Sequence, residues 1–107
     1  MGKEIETMLT LPIKKKWFDM ILDGEKLEEY RDLSKHYYQR LARYVCGVFY
    51  TDEEKPRIFV CFRNGYRKDS PSFVARCTVK LGTGNPKWGA EPGKEYYVLS
   101  IEDIIKE

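Results

Sequence analysis

The stretch Arg57-Ile-Phe-Val-Cys-Phe-Arg63 (RIFVCFR) carries apolar side chains at both odd and even positions. A strand of this kind must bury both of its faces, so the pattern predicts a central strand or a barrel strand. Asn64-Gly65, a strong turn signal, follows it directly. The next segment, Phe73–Leu81, alternates apolar residues with basic and hydroxyl residues, which predicts a half-buried strand.

Two helices are predicted on the N-terminal side of these strands. A short strand at Met8–Leu11 comes first, and a helix over Ile13–Asp23 follows it, with Gly24 as its stop signal. Three lysines open this helix, at the end where cations oppose the helix dipole. A second helix is predicted from a Ser34 cap to about Val45. The apolar faces of the two helices are Ile13, Trp17, Met20 and Ile21, and Tyr38, Leu41, Ala42 and Val45.

The C-terminal third predicts a long loop and a closing strand. Gly82–Lys94 holds four Gly and two Pro in 13 residues, and long loops in small domains are often functional. Glu95–Ile101 predicts a strand, and the last seven residues predict a short helical or frayed end. About five strands and two helices result. They predict an α+β fold in which a small curved or closed sheet packs with helices outside it.

Composition limits the class of protein. The 107 residues suit a single domain, and a net charge of +2 is too weak to argue for non-specific nucleic-acid binding. The chain has no apolar run near the ~20 residues that span a bilayer and no apolar signal region at its start. We expect a cytoplasmic monomer with no membrane contact and no cofactor.

Cysteine and histidine usage argues against a metal site. The three cysteines, Cys46, Cys61 and Cys77, match no zinc spacing, and His36 is the only histidine. Cys61 and Cys77 lie in apolar strands, so we expect both to be buried and reduced. The segment from Tyr50 to Pro56 is predicted to be a charged loop.

The segment Gly24–Arg31 (GEKLEEYR) breaks the hydrophobic pattern. As a strand it has no apolar face, since Lys26, Glu28 and Tyr30 share one side and Leu27, Glu29 and Arg31 the other. Glu29 and Arg31 are close enough for a charge-assisted pair that would hold a guanidinium at a cleft floor. The Lys26 amine could reach the same cleft. The alternative is a solvated edge strand whose charges deter aggregation.

Gly24-x-Lys26-x-x-Glu29-x-Arg31 resembles the GxKxxExR signature of ASCH domains, which belong to the PUA-like superfamily named after an RNA-binding domain. The opening strand and helix around Leu11-Pro12-Ile13 and the aromatic last strand Tyr96–Ile101 are also similar to that family. The resemblance implies a PUA-like small mixed β-barrel with flanking helices, formed by the whole chain. It also implies a ligand cleft lined by the signature residues, Gly24, Lys26, Glu29 and Arg31.

The resemblance implies RNA, a nucleotide or a modified nucleoside as the ligand. The family includes acetylcytidine amidohydrolases, which use a Lys matching Lys26, a Thr where this chain has Glu29, and a downstream Glu. Glu91 is the best candidate for that downstream residue. If the chain is an enzyme, Lys26 would be the nucleophile or proton donor and Glu29 the general base.

Aromatic residues leave further alternatives open. Trp88 could stack on a base or simply cover the mouth of the barrel. Tyrosines interleaved with basic residues could form an RNA footprint, although Tyr38 and Tyr44 are also spaced as core residues. Three functions are therefore weighed: an RNA- or nucleotide-binding module, a small hydrolase acting in the same cleft, and a protein-interaction domain that keeps the signature for structure.

Overall fold

One mixed five-stranded sheet and two short helices account for the regular structure of the chain. The computed structural model describes residues 4–45 and 56–105, with side chains from residue 8 onward. The strands are β1 (Glu4–Pro12), β2 (Glu28–Arg31), β3 (Arg57–Arg63), β4 (Ser72–Thr83) and β5 (Glu95–Ile105). The helices are α1 (Lys15–Leu22) and α2 (Lys35–Leu41), and a 3-10 turn at Ala42–Tyr44 follows α2. The predicted α+β class is confirmed.

The strand order is β1-β3-β4-β5-β2, and the sheet curls into a half-barrel. β1 runs parallel to β3, whereas β3–β4, β4–β5 and β5–β2 are antiparallel. β3 pairs on both sides, as its doubly apolar sequence predicts, and its residues Ile58, Val60 and Phe62 are fully buried. The alternation of β4 is confirmed at Ala75, Cys77 and Val79, which are also fully buried.

Both helices contribute to the main core. Ser34 caps α2 by accepting a hydrogen bond from the Tyr37 amide, as predicted, and Gly24 ends the α1 turn at a φ of 78°. Phe18 and Ile21 are the buried residues of α1, so the predicted apolar face omitted Phe18. Tyr38 is exposed, because α2 turns only Leu41 inward before the 3-10 turn. The residues packed together in this core are Leu11, Ile13, Phe18, Ile21, Leu41, Tyr44, Val45, Ile58, Val60, Phe62, Ala75, Cys77, Val79, Tyr97 and Leu99.

The predicted boundaries of β4 and β5 are wrong. β4 spans Ser72–Thr83 and is longer than the predicted Phe73–Leu81, so the glycine-rich loop begins at Gly84 and not at Gly82. β5 continues to Ile105 instead of ending in a helical or frayed segment, because Ile104 and Ile105 pair with Ala75 and Val74 of β4. The β3–β4 connection extends over residues 64–71 and begins at the predicted Asn64-Gly65 turn. It closes where the Asn64 amide donates to the Pro71 carbonyl at 2.9 Å.

The cysteines differ in burial. Cys77 is free and fully buried, and this burial raises the pKa of its thiol to about 12. Cys61 is also free but only half-buried, because its side chain lies on the face of β3 opposite the main core. Cys46 and the predicted loop at residues 50–55 lie outside the described residues.

The two edges of the half-barrel meet at a seam. β1 and β2 are the terminal strands, and no ladder joins them among the described residues. Arg31 of β2 instead spans the gap, because its Nη2 donates to the carbonyl oxygen of Pro12 at 2.7 Å. A side chain therefore provides the contact that backbone pairing would make in a closed barrel. No helix in the described part of the chain has the length and apolar character to cross a membrane.

Candidate functional site

A cleft of about 480 Å³ lies along this seam. Its walls come from both sheet edges and from the glycine-rich loop, residues 84–94. The residues that line it are Pro12, Ile13, Lys14, Trp17, Glu29, Tyr30, Arg31, Asp32, Tyr37, Trp88, Gly89, Glu91, Lys94 and Tyr96. The segment that breaks the hydrophobic pattern thus forms one wall of this cleft.

Three charged side chains form a buried cluster at this wall. Lys26, Glu29 and Arg31 are only 1%, 7% and 9% exposed. Glu29 lies between the two cations: its Oε1 is 3.2 Å from the Lys26 Nζ, and its Oε2 is 2.8 Å from the Arg31 Nη2. The predicted Glu29–Arg31 pair is confirmed, and the solvated-edge alternative is wrong for these two residues. With all three groups ionised, the cluster carries a net charge of +1.

The register of β2 explains why these charges point inward. Glu29 and Arg31 face Leu99 and Tyr97 of β5, both buried in the main core, so they lie on the core side of the open edge. Lys26 precedes the strand, which begins at Glu28, and the prediction that it lies on the face opposite Glu29 is wrong. The turn at Gly24 returns the chain so that the Lys26 amide donates to the Met20 carbonyl at 3.0 Å.

Lys26 binds the glycine-rich loop on the side that faces away from the cleft. Its Nζ donates to the Trp88 carbonyl at 2.7 Å and lies 5.1 Å and 4.8 Å from the ring centres of Trp17 and Tyr30. Burial lowers the pKa of Lys26 and the neighbouring Glu29 partly offsets this effect. The residue does not line the cleft, so its amine does not reach the cleft surface as the sequence suggested.

Two tyrosines fix the rest of the loop. The Tyr30 Oη accepts the Asn85 amide at 2.9 Å and donates to the Glu28 carboxylate at 2.8 Å. The Tyr96 Oη accepts the Glu91 amide at 2.9 Å. Burial raises the pKa of Tyr30 to about 12, so its phenol stays protonated at neutral pH. With Lys26, these side chains bind three backbone groups of the loop.

Arg31 keeps one donor without a partner. Its Nη1 donates to the Tyr37 Oη at 3.0 Å, and its Nη2 serves both Glu29 and Pro12. The Nε is buried and has no hydrogen-bond partner among the described residues. An unsatisfied buried donor costs free energy, and such groups often mark functional sites.

Both tryptophans of the chain line the cleft. The sequence predicts Trp88 as a residue that stacks on a base or covers the barrel mouth, whereas helical periodicity places Trp17 on the core face of α1. Gly89 explains why Trp17 lines the cleft. The φ of Gly89 is 101°, and a Cβ there would lie 2.9 Å from the Trp17 Cζ2. The glycine lets the loop backbone lie against the indole, a long-range contact that helical periodicity does not reveal.

Of the two remaining predicted site residues, one lines the cleft and the other does not. Glu91 lines the cleft at its exposed rim, near Lys94, which pairs with Asp32 at 3.1 Å. Gly24 lies outside the cleft. Its positive φ forms the backbone turn that positions Lys26. No cluster of three His, Cys, Asp or Glu side chains that could hold a metal occurs in the described part of the chain.

Comparison with known proteins gives no match. No protein-family model, no curated protein and no solved structure matches this chain.

Proposed function

We propose that the chain is a binding module of the ASCH kind, with a PUA-like barrel, that takes a nucleotide unit in the seam cleft. The nucleotide is either free or part of a single-stranded RNA. The observation that carries the proposal is the buried Lys26–Glu29–Arg31 cluster, whose two cations and one carboxylate lie beneath a cleft with two indole side chains.

The charges specify the chemistry of the ligand. Arg31 lines the cleft and carries a positive charge, so an anion such as a phosphate is the group it would attract. Lys14 adds a cation at the rim. Glu29 and Glu91 offer acceptors for donors of a base or a ribose, and Trp88 offers a surface for stacking. A phosphorylated nucleoside combines these three features.

The geometry favours binding over hydrolysis. The Lys26 amine lies behind the cleft and is held by a backbone carbonyl, so it is poorly placed as a nucleophile. Each oxygen of Glu29 already faces a cation, which leaves it poorly placed to take a proton from water. The hydrolase alternative is therefore second to binding.

Intrinsic fluorescence provides a direct test, because both tryptophans line the cleft. Wild type would be titrated with adenosine 5′-monophosphate, adenosine and inorganic phosphate. We expect the monophosphate to change the emission at far lower concentration than either fragment. Arg31→Ala should weaken binding by roughly 30- to several-thousand-fold, since losing a buried charge-assisted contact costs about 2–5 kcal/mol.

Arg57→Ala is the matched control, because Arg57 pairs with Glu102 on the surface and lies outside the cleft. Circular dichroism would verify that both variants fold. Equal binding of adenosine and its monophosphate, or equal weakening by both arginine variants, would contradict the proposal. Chromatography after incubation with acetylated cytidine tests the alternative, which would be favoured if the compound is consumed and Lys26→Ala stops the reaction.

A further inference from the structure

A second groove of about 410 Å³ continues from the cleft. It shares Pro12, Ile13 and Lys14 with the cleft and adds three residues of the β3–β4 connection: Asn64, Gly65 and Tyr66. A ligand longer than one nucleotide could therefore pass from one concavity to the other over the start of α1.

Tyr66 is the outstanding feature of this groove. Its side chain is 91% exposed, and no ring contact or hydrogen bond joins it to another described residue. An aromatic ring that is fully presented to water beside a groove offers a stacking platform to an incoming base.

The backbone beneath the ring is well held. The Asn64 Nδ2 donates to the Ile13 carbonyl at 2.9 Å, which ties the connection to the residue that both concavities share. The Ser70 Oγ accepts the Arg67 amide at 3.1 Å, and the Ser70 amide donates to the Arg67 carbonyl at 3.0 Å. Gly65 has a φ of 131° and packs against the Ser70 side chain too closely for any Cβ. The backbone that carries the ring is thus preorganised, which lowers the backbone part of the entropy cost of binding.

Charge favours a polyanion on this path. Lys14 lies where the two concavities join and makes no ion pair among the described residues, whereas the neighbouring Lys15 is already paired with Asp19 at 2.6 Å. Arg67 and Lys68 adjoin Tyr66, with Asp69 as the nearby anion, only 3.8 Å from Arg67 and highly exposed. Lys14 and Lys68 therefore have no ionic partner in the described part of the chain, and a phosphodiester would supply one.

We infer that the Tyr66 groove binds the nucleotide adjacent to the one in the cleft, so that the ligand is a single-stranded nucleic acid of at least two nucleotides. Its base stacks on Tyr66, and the phosphate that joins the two nucleotides lies near Lys14. This inference rests on the proposed function of the cleft and specifies the class of ligand.

The test compares adenosine 5′-monophosphate with 5′-phosphorylated triadenylate by tryptophan fluorescence and calorimetry. We expect the trinucleotide to bind wild type roughly 5- to 150-fold more tightly, the factor equivalent to the ~1–3 kcal/mol of one stacked base. Tyr66→Ala should remove this gain and leave the affinity for the monophosphate unchanged. Tyr66→Trp should retain the gain, and the deoxy trinucleotide reports whether RNA or DNA is preferred.

Tyr38→Ala is the matched control, because Tyr38 is an exposed tyrosine outside both concavities. Three outcomes overturn the inference. If the trinucleotide gains nothing over the statistical effect of several equivalent nucleotides, the cleft function stands and the second subsite falls. If the gain survives Tyr66→Ala, or if Tyr38→Ala removes it equally, the platform is elsewhere. If neither compound binds, the proposed function falls as well.

Discussion

Lys26 shows how one side chain can shape a cleft without lining it. Its amine joins the Trp88 carbonyl of the loop to Glu29 of the sheet edge, at a depth where water does not compete. Lys26 is therefore a positioning residue in this chain. Its removal should disorder the loop before it changes the charge of the cleft surface.

We predict that Lys26→Met lowers the free energy of unfolding by about 1–3 kcal/mol, since it leaves the partly buried Trp88 carbonyl without its partner. Urea denaturation measures this loss, and hydrogen exchange should show faster exchange at the Asn85 and Glu91 amides. Lys87→Met, at an exposed position in the same loop, should change neither quantity. Unchanged exchange in Lys26→Met would show that the amine does not hold the loop.

The same pair of proteins has a defined pH dependence. Because burial lowers the pKa of Lys26 below 10.5, the unfolded chain binds more protons than the folded one in the window below 10.5. The difference in free energy of unfolding between wild type and Lys26→Met should therefore grow as the pH rises through that window. If this difference shrinks instead, the attraction of Glu29, and not burial, determines the direction of the Lys26 pKa shift.

The sequence predicts the charged residues of the site better than it predicts their environment. The pairing of Glu29 with Arg31 follows from two-residue spacing in a strand, which is a local property. The depth of Lys26 depends on Trp17, Tyr30 and Trp88, which converge only after the loop has folded back on β2. No local pattern encodes that convergence.

At the scale of elements, the glycine-rich loop is the structure that gives the cleft its shape. Its backbone crosses two aromatic rings closely. Its three glycines, and Gly82 just before it in β4, meet different constraints. A Cβ at Gly82 or at Gly93 would have no heavy atom within 4 Å. Gly82 has an ordinary φ, whereas the φ of Gly93 is 79°. Gly84 has an ordinary φ, but a Cβ there would lie 2.5 Å from the Tyr30 ring. Gly89 combines a φ of 101° with close contact to Trp17.

Substitution of these four glycines by alanine should therefore give a graded series. We expect Gly82→Ala to be nearly neutral and Gly93→Ala to cost about 1–2 kcal/mol for its left-handed backbone. Gly84→Ala should cost about 1–3 kcal/mol from overpacking, and Gly89→Ala should cost the most because both effects apply. Thermal unfolding of the four variants measures the order. Equal losses at Gly89 and Gly93 would show that Trp17 yields to the added methyl group.

β5 illustrates why element boundaries escape the sequence. Its Tyr96-Tyr97-Val98-Leu99 run is buried on both faces, since Tyr97 and Leu99 join the main core and Tyr96 and Val98 lie under the loop with Ala90 and Tyr30. Beyond Ile101 the acidic residues suggest a strand end or a helix, but pairing with β4 continues to Ile105. A neighbouring strand supplies hydrogen bonds that the local sequence cannot reveal.

For the whole molecule, the sequence predicts the class and the central strands but not the seam. β3 and β4 follow from hydrophobic patterns that are complete within each strand. The half-barrel leaves β1 and β2 as separate edges, and their contact depends on Arg31 reaching Pro12 across 19 residues of chain. The residue that lines the cleft is thus also the residue that bridges the sheet edges.

This double role gives a prediction for Arg31→Lys, which retains the charge but has a single nitrogen in place of the guanidinium fork. One amine cannot reproduce the bonds to Glu29, Pro12 and Tyr37 together, so the seam should open locally while the β3–β4 pair stays intact. Hydrogen exchange should become faster in β2 and at the end of β1, with β3 and β4 unchanged.

Arg57→Lys is the control, since Arg57 makes one surface pair with Glu102. If Arg31→Lys accelerates exchange uniformly, the loss is global and the seam has no separate closure; if exchange is unchanged in β2, the arginine does not bridge the edges in solution. A nucleotide that binds the cleft should slow exchange at the same two edges in wild type, because it adds contacts to both walls of the seam.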